Sequence, residues 1–243
     1  MRRQRPRAGR YGRDMGRGRV VLAVVAVVVV ALAASVLVRG TPTRRLAEAV
    51  AHFECFLSPS DEPGGTVALG DSITAGSHVA ALDIGVDDSY FDVLGCREDS
   101  PVTYSGNAGV SGERSDEILA RVPEALAPRP ATVLVLAGTN DVRQGRTDGT
   151  IDTLTRIAEK VESGGATPVF ATLPPSAEFP DETVALNERL RVWADERGVE
   201  LLDFWTPLAD PDGTFAEGMS DDGTHPSPEG AEVLADVVAD ALG

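Results

Sequence analysis

The stretch that most constrains this chain is TVALGDSITAGS, residues 66–77. Its first half is a short apolar and β-branched run bounded by Gly64, Gly65 and Gly70, the pattern of a buried strand that ends at a turn. Ser72 therefore stands at the carboxyl end of a strand. In an open α/β sheet that edge gathers loops and helix N-termini, and their free N–H groups make it the place where ligands sit. A serine there can act as a nucleophile. It can also do no more than cap the next helix together with Asp71, with Gly70 supplying backbone freedom. Partners elsewhere in the chain must decide between the two.

Downstream the pattern alternates. Apolar runs suited to strands occur at 66–69, 102–105, 132–137, 168–173 and 199–204. Helical periodicity fills 89–94, 116–126, 150–161 and 182–197, and 228–242 reads as a closing helix. Strands alternating with helices of this length imply βαβ units and a parallel sheet covered on both faces, so the predicted fold is a three-layer α/β/α sandwich. Strands of a parallel sheet point the same way, and four polar segments follow their predicted ends. They are Gly70-Asp71-Ser72, the run Asn107–Gly112 (NAGVSG), the run Gly138–Asp141 (GTND), and Asp222–Pro226 (DGTHP) before the last helix. All four are predicted to open on one edge of the sheet.

A serine hydroxyl is a poor nucleophile at neutral pH and needs a base within hydrogen-bond reach, itself held by a third group. His52 lies in the membrane-proximal segment, and His78 has no acid three residues before it; His225 has Asp222. Asp222 can fold back onto the imidazole Nδ1–H and so leave Nε2 free to take the serine proton, with Asp221 as the fallback. Acyl transfer also develops an oxyanion that needs donors already in place. The backbone N–H of Gly112, the side-chain amide of Asn140 and the backbone N–H of Ser72 are the candidates. Singly, each of these groups is ordinary turn or capping chemistry.

Together, Gly-Asp-Ser, Asn-x-Gly-x-Ser-Gly, Gly-Thr-Asn-Asp and Asp-x-x-His resemble, in order and over the body from about Thr66 onward, the four blocks of the SGNH hydrolases, also called the GDSL esterases and lipases. The resemblance implies a flavodoxin-like α/β/α fold and hydrolysis of acyl esters through an acyl-enzyme, without cofactor or metal. Residue by residue, it implies Ser72 as nucleophile, His225 as base, Asp222 as its orienting acid, and Gly112 with Asn140 as the oxyanion hole. Gly109 ranks behind Gly112, because the family's donor matches the final glycine of the block. The α/β-hydrolase elbow fits less well, since Gly-x-Ser-x-Gly occurs nowhere. Two rival readings use the same sheet edge: a metal-dependent hydrolase with Asp71, Asp141, Asp222 and His225 as ligands, and a non-catalytic module that binds an acylated glycan or lipid. The family acts on lipids, thioesters and acetylated polysaccharides. Tyr90, Phe91, Leu94 and Trp205 are candidates for a pocket wall or for plain core.

The N-terminus sets the compartment. Residues 1–40 carry nine arginines against one acid, a net of +8, which leaves −24 on the remainder of a chain whose total is −16. An acidic body argues against a nucleic-acid partner. Val20–Val38 is apolar apart from one serine, and at about 1.5 Å per residue it spans roughly 28 Å, close to the hydrocarbon thickness of a bilayer. Residues 1–19 are thus predicted to be a basic cytoplasmic tail, 20–38 a transmembrane signal anchor, and 39–65 a juxtamembrane helix (43–57) and linker. The catalytic body, 66–243, lies outside the cell. A signal peptide cleaved near Ala31-Leu32-Ala33 is the competing reading, and it would make the body secreted. Cys55 and Cys96 both fall on the oxidising side and are predicted to pair, a link that stabilises by about 3 to 4 kcal/mol.

Overall fold

The computed structural model describes residues 63–79, 84–86 and 89–243. The predicted tail, the span 20–38, the helix 43–57 and Cys55 lie outside the described residues. Among the described residues no helix is long and apolar enough to cross a membrane.

The apolar runs form the strands β1 (Thr66–Gly70), β5 (Thr132–Leu136), β6 (Thr167–Ala171) and β7 (Glu200–Leu202), and β4 is Tyr104–Gly109. These five make one sheet in the order β4-β1-β5-β6-β7, and every pairing is parallel. Counted along the chain the order is second, first, third, fourth, fifth, the flavodoxin-like arrangement. Every residue of β1 is buried, as a central strand of a covered parallel sheet requires. Between β1 and β4 the chain forms the short helix α1 (Ser72–Ala75), a two-stranded antiparallel unit of β2 (Ser77–Val79) and β3 (Ile84–Val86), and helix α2 (Tyr90–Gly95).

The longer helices are α3 (Ser115–Ala125), α5 (Thr150–Ser163), α6 (Pro180–Arg197) and α7 (Pro228–Leu242), with α4 (Thr139–Arg143) a short helix after β5. Their ends follow local chemistry. Ser89 caps α2 and Ser227 caps α7 by accepting from backbone N–H groups, proline opens α6 and α7, and Gly198 closes α6 in the left-handed conformation. Helix α3 packs on α5 and α5 on α6, whereas α2 packs on α7. Right-handed crossovers put these two groups on opposite faces of the sheet, giving the sandwich.

One expectation changes. The second strand runs 104–109 rather than 102–105, so Asn107, Ala108 and Gly109 belong to it: they pair with Ala68, Leu69 and Gly70 of β1. The segment after β5 continues directly into α4, Thr139–Arg143. Tyr90, Phe91 and Leu94 are core residues, each fully buried, with Tyr90 edge-on to Phe204 at 4.9 Å and Phe91 stacked on Tyr104 at 5.2 Å. Trp205 is only partly buried.

Candidate active site

Asp71 caps α1, its Oδ1 accepting from the N–H of Ile73 at 3.0 Å. The cap turns the chain so that Ser72 opens the helix, partly exposed, while Asp71, Ile73 and Thr74 are buried. The N–H of Ser72 falls in the first turn, where no carbonyl within the helix can take it. Ser72 Oγ lies 2.9 Å from Nε2 of His225, and Nδ1 of that ring lies 2.7 Å from Oδ2 of Asp222. The other oxygen of Asp222 accepts from the N–H groups of Thr224 and His225, both at 2.8 Å. It is Asp222, not Asp221, that meets the ring.

This loop is held by groups that spacing alone did not single out. Ser220 Oγ donates to the carbonyl of His225 at 2.6 Å and accepts from the N–H of Gly223. Ser227 Oγ donates to the carbonyl of Gly218 at 2.6 Å, and the N–H of Ala177 donates to the carbonyl of Gly223 at 2.8 Å. Partial burial raises the Asp222 carboxyl, but the N–H and ring of His225 and the N–H of Thr224 outweigh it and hold the group down at about 2. Asp222 therefore keeps its charge wherever an imidazole can change its own.

Gly112 and Asn140 stand on the neighbouring strand ends. Gly112 has φ +84°, a conformation open to glycine, and is exposed. Gly109 serves otherwise: its N–H is taken by Asn107 Oδ1 at 2.9 Å, and a Cβ there would sit 2.2 Å from the N of Ala75, so it lets β4 lie against α1. Asn140 is buried in the first turn of α4, and its Nδ2 donates to the carbonyl of Glu113 at 2.9 Å. A primary amide carries two N–H bonds, so the second remains for a ligand. A hydroxyl, a base on a carboxylate and a set of N–H donors at one sheet edge is a constellation suited to acyl transfer.

Residues 68–233 match the GDSL-like lipase/acylhydrolase family. The chain belongs to that family. Among its relatives, an arylesterase of Vibrio mimicus is 28% identical over 198 residues, 78% of this chain and 94% of that protein. A thioesterase 1/protease 1/lysophospholipase L1 of Escherichia coli is 29% identical over 177 residues, 72% of this chain and 81% of that protein. The fold is similar to that of a G-D-S-L family lipolytic protein from Desulfitobacterium hafniense, 25% identical, with a TM-score of 0.64 over 73% of this chain and 98% of that one. This GDSL hydrolase is thus an enzyme acting on ester bonds.

The metal reading loses its ligands. Both oxygens of Asp141 are occupied: Oδ2 accepts from the N–H of Ser115 at 2.8 Å, and Oδ1 from Ser115 Oγ at 2.6 Å and Thr150 Oγ1 at 3.0 Å. Asp141 ties the starts of α3 and α5 to α4. Asp71 is buried beneath α1, and among the described residues no group of three His, Cys, Asp or Glu is placed to hold a metal ion.

Asp71 is an expensive residue in this GDSL fold. Burial pushes its carboxyl up to about 6, against the pull of the Ile73 N–H and the His225 charge. Its Oδ2 has no hydrogen-bond partner, and neither has Thr139 Oγ1, which is near enough to lower the carboxyl without a formed hydrogen bond. A carboxyl raised in the folded state binds more protons there than in the unfolded chain, so stability falls as pH rises toward about 6. Asp71→Asn keeps the acceptor for Ile73 and offers Thr139 a donor. In urea unfolding it is expected to be more stable than the parent at pH 8, by up to about 3 kcal/mol, with the gain shrinking toward pH 4. An equal gain at both pH values, or a loss at pH 8, contradicts the assignment.

Proposed function

We propose that this GDSL hydrolase is an extracytoplasmic serine esterase that cleaves acyl esters of the cell envelope, on a lipid or an O-acetylated glycan, through Ser72, His225 and Asp222. The observation that carries the reading is the unbroken chain Ser72 Oγ to His225 Nε2 at 2.9 Å and His225 Nδ1 to Asp222 Oδ2 at 2.7 Å. With Nδ1–H donated to Asp222, Nε2 accepts the serine proton as Oγ attacks the acyl carbonyl, and Asp222 stabilises the imidazolium formed. The N–H groups of Ser72 and Gly112 and the free N–H of Asn140 receive the oxyanion. His225 returns its proton to the leaving alcohol, leaving an acyl-serine. Water, deprotonated by the same imidazole, then releases the acid.

The His225 and Asp222 side chains are 39% and 56% exposed, which gives water a direct path to the base and favours hydrolysis over transfer to another acceptor. The names of the relatives make aryl esters, thioesters and lysophospholipids the first substrates to try. Ser72→Ala is expected to lower kcat roughly a thousand-fold or more while melting like the parent, and His225→Ala to do the same. In the parent, kcat/KM is expected to fall on the acid side with no contribution from Asp222, which stays charged down to about 2. A Ser72→Ala protein that keeps a tenth of the parent's kcat overturns the triad.

Location outside the cell rests on the arginine-rich start and the apolar span 20–38, which we assign as a signal anchor, and the same placement supports a Cys55–Cys96 disulfide. Expressed with its leader, the protein is expected to remain in alkaline-washed membranes and to resist alkylation until reduced. Release by the wash removes the anchor, and two alkylatable thiols before reduction remove the disulfide.

A further inference from the structure

Arg121 lies on α3, among residues that look like an ordinary charged helix face. Its guanidinium does something more specific. Nη1 donates to the carbonyl of Ala108 at 2.8 Å and Nη2 to the carbonyl of Gly70 at 3.1 Å, while Nε and Nη2 grip the carboxylate of Glu113 at 2.7–2.9 Å. Both side chains are mostly withdrawn from water, with 14% of Arg121 and 17% of Glu113 exposed.

Each contact leads to a group that faces the oxyanion. Gly70 ends β1 two residues before Ser72, and its carbonyl also accepts from the N–H of Val110 at 3.0 Å. Ala108 precedes the turn that carries Gly112. Glu113 follows Gly112 directly, and its backbone carbonyl is the acceptor that holds the Asn140 amide at 2.9 Å. A planar fork with five fixed donors can satisfy two strand-end carbonyls and a carboxylate at once. An ammonium, with three donors on a flexible stem, cannot.

We infer that Arg121 is a positioning residue that, through the Gly70 and Ala108 carbonyls and Glu113, aligns the Ser72, Gly112 and Asn140 donors. The inference rests on the serine-esterase reading for its kinetic consequence and on geometry alone for its structural one. The fold has other supports at this point. Helix α3 buries Ile118, Leu119, Val122 and Ala125, and Asp141 holds its start, so loss of the guanidinium leaves the helix anchored.

The test uses Arg121→Lys, Asn140→Ala and the double variant of the full chain, with aryl-ester kinetics and the amide NMR spectrum of each. Arg121→Lys is expected to melt cooperatively, to lose at least about tenfold in kcat with KM within about twofold, and to add little to Asn140→Ala in the double variant, because both act on the same donor set. In the spectrum, the Asn140 side-chain amide and the Gly112 N–H are expected to shift, while the backbone of α5 and α6 stays in place. Glu113→Gln keeps the backbone carbonyl and the side-chain shape and is expected to move the same resonances, so it decides if Arg121→Lys does not fold. A kcat within twofold of the parent, a loss that multiplies in full with that of Asn140→Ala, or unmoved Asn140 and Gly112 resonances overturns the inference. Shifted resonances in the variants of a parent that hydrolyses no ester keep the positioning role and remove the esterase reading instead.

Discussion

Parallel pairing of β1 with a neighbour on each side is the constraint on which the rest depends. With β5–β6 and β6–β7 parallel as well, all five strands of the sheet end at one edge, and the reversal of strand order falls between β1 and β5. At such a reversal the connections leave toward opposite faces, and a crevice opens between them. Ser72 follows β1 at that crevice, and Thr139 and Asn140 follow β5. His225 is 153 residues from Ser72 and arrives beyond β7, on a loop held by Ser220, Ser227 and the carbonyl of Gly223. The strands create the position, and the loop's hydrogen bonds deliver the base.

Polar groups at this edge are for the most part satisfied by a few residues that each serve several elements. Asp141 joins the starts of two helices to a third, Arg121 joins two strand ends to Glu113, and Asn107 reaches the carbonyl of Thr74, Ser89 and Asp92 from β4. Buried partners of this kind fix one arrangement, since losing any one leaves groups unpaired where water does not reach. Asp71 departs from this economy. Its second oxygen is buried and unpaired directly beneath the nucleophile, a destabilising placement beside the site.

Much of this was legible in the residues. Apolar runs such as 132–136 announce buried strands, and Ser89, Pro180, Pro228 and Gly198 mark helix ends because their backbone preferences act locally. The extent of β4 was not legible: Gly106, Asn107 and Gly109 look like turn residues, and only pairing with β1 makes them a strand. Asp222 and His225 could be linked by their spacing, because three residues on a loop bring a carboxylate back to a ring. The roles of Arg121 and Asp141 escaped for the opposite reason. Their partners lie on other elements, Gly70, Ala108 and Glu113 for the one and Ser115 and Thr150 for the other, and a charged residue on a helix carries no mark of what it meets.

The central claim is that Ser72 is an activated nucleophile, and the intact mass of the full chain after exposure to a fluorophosphonate tests it most directly. The account predicts one adduct per chain, mapped to Ser72, absent in Ser72→Ala and greatly slowed in His225→Ala. A folded chain that takes no adduct, or takes it on another serine such as the exposed Ser111, contradicts it.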